Sequence, residues 1–222
     1  MENWELALGS AVLKAHLAWL ERGGQGEGQL VLQGLDLRGA QVGANLSGAR
    51  FAGCDLSQAV FHLARLHGVA LTDCRLSEAW LRGCDLESAR LRSCQMNGIQ
   101  AYGADFVEAE LVGCGLASAH LQRTSWNEAS LENCDFSGAD LLDSCFDGAQ
   151  VRECDFRGAR LAWSQGPPLG SAAGAFFWRC DFREADMSDL RVEGARFEDC
   201  RFRGARAETV LAQATTLRPN LD

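Results

Sequence analysis

The side chains able to do chemistry in this chain are ten cysteines, four histidines and thirty carboxylates, and their spacing says more than their number. Cys54, Cys74, Cys94, Cys114, Cys134 and Cys154 recur at intervals of 20 residues. A zinc or redox site uses the close Cys-x-x-Cys pairing, which this interval is not. Nine of the ten cysteines share one repeat position with alanine, so they read as small buried hydrophobes rather than as a disulfide framework. Cys145 stands outside that set. The histidines assemble no catalytic pair: His16 falls in an expected helix, His62 and His120 are far apart in the repeat, and His67 is one 20-residue interval from Glu87. No Ser or Cys nucleophile sits beside a histidine, and the glycines form no phosphate loop. The expectation is a protein without catalysis, cofactor or metal. Carboxylates are what remain. A formal charge of −9, with Lys14 the one lysine among 21 basic residues, excludes a general basic nucleic-acid binder and suits a cationic protein partner.

What must position these groups is a period of five. From Leu46 to Leu161 a bulky apolar residue returns every fifth position; call it i. Twenty of these 24 positions hold Leu or Phe, the exceptions being Met96, Ala101, Trp126 and Val151. Two residues earlier, 20 of the 24 are Ala or Cys, broken only by Val69, Ile99, Thr124 and Ser144. Period five matches neither a helix at about 3.6 nor a strand at about 2.0. It is a repeat architecture in its own right.

The segments ANLSG, CDLSQ, CDLES, ADFVE, CDFSG and CDFRG resemble the A(D/N)LXX signature of the pentapeptide-repeat family, across roughly Leu30 to Ala207. The resemblance implies an all-β fold, a right-handed quadrilateral parallel β-helix with four pentapeptides per coil and about eight coils here. Each pentapeptide then forms one side, with i and i−2 inward and i−1, i+1 and i+2 outward. The cysteine interval of 20 agrees, because only a four-sided coil stacks those residues. The resemblance also implies function. Qnr-like and mycobacterial fluoroquinolone-resistance members are described as DNA-shaped rods that engage DNA gyrase, and self-resistance proteins against topoisomerase poisons look similar.

Residues 1–24 are expected to be a capping segment, with a helix from Asn3 to Arg22. Asn3 caps it, Leu6, Leu13, Leu17 and Leu20 lie near one face, and Gly23-Gly24 end it. Such a helix covers the open first coil of a solenoid, with Trp4 and Trp19 available to the cap or to a partner. The repeat occupies 30–207. Its step shortens to four between Val42 and Leu46, which predicts a tightened corner. The register fails again at AWSQGPPLGSAAGAF. The 16 residues from Leu161 to Phe177 equal one step plus 11, two plus 6, or three plus 1. Two plus 6 is preferred, since it keeps Cys180 and Cys200 on the cysteine ladder and stacks Phe136, Phe156, Phe182 and Phe202. A loop at about 165–173 then leaves the coil beside the side of Leu66, Leu86, Phe106, Trp126 and Phe146. Residues 208–222 form a short tail, with Val210 and Leu211 expected over the last coil. In topoisomerase-protecting members C-terminal elements join two solenoids; this tail is short, and a homodimer stays open.

Sorting outward residues by side isolates two surfaces. The loop-bearing side carries Asp85, Glu87, Asp105, Glu108, Glu128 and Asp147, with no base among its outward positions over those four coils. The next side exposes Trp80, Tyr102, His120, Leu142 and Trp163. The expected function is a non-catalytic DNA mimic that binds a type II topoisomerase and protects it from inhibitors. Its acidic side would stand in for phosphates, and Gln165, Gly166, Pro167, Pro168 and Leu169 of the loop would reach the enzyme. The alternative is an adaptor solenoid that docks other proteins through Trp80, Tyr102 and Trp163. Without a signal segment or a long apolar run, the expectation is a cytoplasmic protein, away from membranes and without direct nucleic-acid contact.

Overall fold

The structure, a computed structural model, describes residues 10–43, 45–61, 64–162, 170–214 and 216–219. Helix α1 (Ser10–Glu21) precedes a single parallel sheet of ten short strands stacked in chain order. These are β1 (Val31–Gln33), β2 (Arg50–Ala52), β3 (Ala70–Thr72), β4 (Arg90–Arg92), β5 (Glu110–Val112), β6 (Ser130–Glu132), β7 (Gln150–Arg152), β8 (Phe176–Trp178), β9 (Arg196–Cys200) and β10 (Thr216–Pro219). Helix α2 (Glu208–Gln213) lies between the last two. Three further ladders of single parallel bridges run alongside the sheet, through Asp55, Val60 and Arg65 and their successors. Four ladders make a four-sided parallel β-solenoid of about eight turns.

The period of five produces this shape through its corners. On the three sides outside the strand stack the N–H of residue i+3 donates to the carbonyl of residue i, as from Ala109 to Phe106 at 3.1 Å, and this tight turn redirects the chain. Residue i+2 takes a left-handed backbone, as at Glu108 (φ 56°) and Gly148 (φ 70°). Residues i and i−2 face inward, and almost all are buried. Identical positions stack, so aromatic side chains form near-parallel columns. The rings of Phe136, Phe156, Phe182 and Phe202 succeed one another at 4.9, 5.1 and 5.4 Å between centroids. Phe106 and Trp126 stack at 4.1 Å.

The irregular positions compensate in pairs. Where i shrinks to Ala101, its i−2 partner grows to Ile99, and both are fully buried. Where i becomes Trp126, its i−2 partner is Thr124, whose Oγ1 accepts the indole N–H at 2.8 Å and donates to the Leu121 carbonyl at 2.6 Å. Ser144, stacked on Thr124, lies 3.0 Å from the same hydroxyl and donates to Leu121 at 2.8 Å. A large polar-tipped ring is thereby accommodated in the core with its donor satisfied.

Both register breaks fall where the spacing puts them. β1 pairs with β2 at an offset of 19 residues, one short of a full coil, and the corner residue Ala44 lies outside the described residues. β7 pairs with β8 at an offset of 26, a full coil plus six, which is what two steps plus six between Leu161 and Phe177 requires. The coil resumes earlier than expected, however: Ser171 bridges Cys145, and Ala172 takes the inward place above Phe146. Ser171 to Ala173 therefore belong to the solenoid, a stretch hidden from the Leu/Phe period because its i residue is only alanine. Residues 163–169, with Trp163 and the loop residues Gln165 to Leu169, lie outside the described residues.

At the start, α1 docks on the first coil through His16. That side chain is fully buried; its Nδ1 accepts the Leu30 N–H at 3.1 Å, and its ring stacks on Trp19 at 5.5 Å. Burial lowers the His16 pKa. Gly48 makes room for Trp19, since a Cβ there would sit 3.0 Å from the indole. Leu13 packs on the core as expected, whereas Leu17 is 44% exposed, so the docked face centres on His16 rather than on the leucine row. Asn3, Trp4 and Leu6 lie outside the described residues. At the far end Val210 is buried and Leu211 is 41% exposed. After α2 the chain returns to the sheet, β10 pairing with β9 from Thr216 to Arg196 onward. No helix among the described residues is long and apolar enough to cross a membrane.

Candidate partner-binding surfaces

The acidic side is built on the ladder Asn45, Arg65, Asp85, Asp105, Ser125, Cys145, Ser171, Arg191. Inward Leu86, Phe106, Trp126 and Phe146 anchor its middle coils, leaving the flanking residues outward. Asp85, Glu87, Asp105 and Asp147 are half-buried, and Glu108 and Glu128 are exposed. The aspartates do local work as well. Asp85 Oδ1 accepts the Glu87 N–H at 3.1 Å, Asp105 Oδ1 accepts the Val107 N–H at 3.0 Å, and Asp147 Oδ1 accepts the Ala173 N–H at 2.8 Å. Ser88 donates to Glu108 at 3.4 Å, and the Glu128 carboxylate lies over Gly148, in the space a side chain there would fill.

None of the six carboxylates forms an ion pair with a described residue. Among the described residues the ion pairs lie, with one exception, on the other three sides and their corners, among them Arg75–Asp55, Arg90–Glu110, Arg123–Asp143, Arg160–Asp140 and Arg183–Asp181. The exception, Arg191–Glu193 at 3.3 Å, belongs to the acidic side but lies two coils beyond Asp147. Arg65 is the ladder neighbour of Asp85 without pairing to it. Elsewhere the rod neutralises many of its acids; here it does not.

At the head of this side the structure joins groups that the sequence reading considered only as a catalytic pairing. The ligand atoms of His67, Asp85 and Glu87 lie within 4.8 Å of one another.

The neighbouring side carries a shallow groove of about 230 Å³ lined by Trp80, Arg82, Gln100, Tyr102, His120 and Gln122. Trp80 is 53% exposed and Tyr102 38%. Two guanidinium groups flank Tyr102, Arg82 at 5.1 Å and Arg123 at 5.8 Å from the ring centre. Trp163, expected on the same surface, lies outside the described residues.

The cysteines are not a reactive site. All nine inward thiols, the eight of the ladder and Cys84, are buried. Several donate to the carbonyl one coil back, as Cys114 does to Leu91 and Cys200 to Phe177, both at 3.5 Å. Cys94 and Cys114 are pushed up to about 12, first by the hydrogen bond to the next thiol of the ladder and also by burial. Cys145 is outward but half-buried, and burial, then the Asp147 charge, raises its thiol too.

A four-sided parallel β-solenoid with Ala or Cys beside Leu or Phe on most inner edges defines a class of repeat protein. The chain belongs to the pentapeptide-repeat family. A model of the pentapeptide repeat region matches residues 44–121, and one of pentapeptide repeats (8 copies) matches 114–150 and 171–206. Among solved structures, the chain is similar to a trypsin-treated variant of QnrB1, a plasmid-mediated fluoroquinolone resistance protein. Identity is 19%, covering 87% of this chain and 90% of that one, with a TM-score of 0.44. HetL, a pentapeptide repeat protein involved in heterocyst differentiation regulation from the cyanobacterium Nostoc sp. strain PCC 7120, matches at 21% identity, covering 86% of this chain and 93% of that one, with a TM-score of 0.32. A pentapeptide repeat protein of the Arabidopsis thaliana thylakoid lumen matches at 24% identity over 43% of this chain and 59% of that one, with a TM-score of 0.25. No curated protein matches.

Proposed function

We propose that this protein is a non-catalytic DNA mimic, acting in the cytoplasm, whose acidic side occupies the cationic DNA path of a type II topoisomerase, DNA gyrase, and protects the enzyme from inhibitors. The observation that carries the mimicry is the set of six carboxylates on one side that form no ion pair with a described residue. With coils about 4.8 Å apart, six charges over four coils amount to about one per 3.2 Å, close to the spacing of about 3.4 Å along one strand of duplex DNA. A protein surface that holds phosphates with Arg and Lys meets here the charge density of one such strand, on a rod that needs no ordering before it binds. The choice of gyrase comes from the family resemblance.

The test is a supercoiling and drug-protection assay with purified gyrase. The parent should bind gyrase and relieve inhibitor-stabilised cleavage, with affinity falling steeply as salt rises, because exposed charges are screened. Reversing Asp105, Glu108 and Glu128 to Arg should abolish binding and leave the rod folded by circular dichroism, with a modest fall in midpoint from losing the Val107-to-Asp105 hydrogen bond. Undiminished binding by the triple variant would refute mimicry by this side.

A second reading, an adaptor solenoid, is favoured by the groove of Trp80 and Tyr102, since exposed aromatics gathered on one side make a contact surface. Trp80→Ala with Tyr102→Ala should then remove partner binding that the charge reversals leave intact.

A further inference from the structure

The stack brings three unlike donors to one place on the rod surface. The Arg65–Asp85 bridge sets His67 and Glu87 in equivalent places on adjacent coils, one above the other. Asp85, two residues before Glu87, completes the group, and the three ligand atoms fall within 4.8 Å of one another. The backbone beneath them is pinned. The N–H groups of Leu66 and Gly68, on either side of His67, donate to the carbonyls of Asp85 and Glu87 at 2.7 and 2.8 Å. The Asp85 carboxylate is itself oriented, because one oxygen accepts the Glu87 N–H at 3.1 Å, which leaves the other for a ligand. Neither carboxylate is engaged in an ion pair with a described residue.

We propose that His67, Asp85 and Glu87 bind a divalent first-row transition-metal ion, with water completing its coordination. One imidazole nitrogen with two carboxylate oxygens is a borderline donor set that suits zinc, cobalt or nickel. Magnesium and calcium prefer shells made wholly of oxygen, so the imidazole supplies the selectivity. Two carboxylates offset the charge of the ion, and the solenoid holds the donors in place before it arrives. The proposal does not rest on the topoisomerase reading, but it shares Asp85 and Glu87 with the acidic row, so a bound ion would take those two charges from the row and leave Asp105, Glu108, Glu128 and Asp147.

Cobalt(II) is the probe, added to the full-length protein and followed by calorimetry and by its visible ligand-field absorption. One ion per chain should bind, and excess magnesium should not displace it. Changes to groups that merely orient metal ligands cost about 10–100-fold in affinity, so His67→Ala and Glu87→Gln should each lose at least that much. His120→Ala, on another side of the rod, should bind as the parent does. His67 is exposed, so its replacement should leave the circular dichroism spectrum unchanged. Absence of cobalt binding, binding unaltered in both variants, or a thiolate-to-cobalt charge-transfer band assigning the ion to cysteine would each overturn the proposal.

Discussion

Replacing Thr124 by Val probes the polar cluster inside the core. The substitution keeps the branched shape and deletes one hydroxyl. That hydroxyl accepts the Trp126 indole N–H at 2.8 Å, donates to the Leu121 carbonyl at 2.6 Å and lies 3.0 Å from Ser144 Oγ. Ser144 keeps its own bond to Leu121 at 2.8 Å, so the group left stranded is the indole N–H, on a side chain with no exposure. A stranded buried donor costs about 1–3 kcal/mol. Taking the middle, about 2 kcal/mol lowers the melting midpoint of a chain this size by about 4–8 °C. The midpoint followed by far-ultraviolet circular dichroism is the appropriate readout, because repeat arrays depart from two-state unfolding. Trp126→Phe removes the donor itself, so in that background Thr124→Val should cost far less. If the double variant loses the sum of the two single losses within about 0.5 kcal/mol, the hydroxyl is not holding the indole, and the paired explanation of these two irregular residues fails.

Acid should loosen the cap. Burial holds the His16 pKa below its ordinary 6.5, so between that value and the lower folded one the unfolded chain binds the extra proton; stability is full above about 6.5 and falls as pH drops. Thermal midpoints at pH 7.5 and pH 5 should differ in the parent and much less in His16→Gln, and equal differences in the two would refute the assignment. Iodoacetamide added to native protein should leave the nine inward thiols unmodified by mass spectrometry and label Cys145 slowly. Rapid native labelling at any ladder position would contradict its inward placement.

The period of five made the solenoid legible because each inward residue has an equivalent one coil away, and an error of a single residue would break every column at once. For that reason the six-residue insertion could be sized by the cysteine ladder and the phenylalanine column together. Where the pattern carries little signal, the sequence reading stopped short. Ala172 is too small to mark its coil, and β10 lies beyond a helical turn that interrupts the repeat. His16 was passed over because a polar residue does not enter an apolar stripe, although its acceptor nitrogen is what ties helix to coil. Thr124 and Trp126 looked like two separate exceptions until their hydrogen bond joined them. The six acids of the candidate site were sortable by position. Their lack of ion pairs was not, since Arg65 is a ladder neighbour of Asp85 and only side-chain geometry shows that the two do not pair. The grouping of His67 with Asp85 and Glu87 likewise needed distances.

The realignment of all four ladders after a 19-residue coil and again after a 26-residue one has a hereditary consequence. Length errors are absorbed at corners, so the smallest edit that leaves every side chain among equivalent neighbours is one whole coil. Duplicating or excising 20 residues between 46 and 161 would lengthen or shorten the rod by about 4.8 Å and would require no new core. The reach of the acidic row along a partner is then a quantity that evolution, or an engineer, sets in whole increments, like the marks on a ruler.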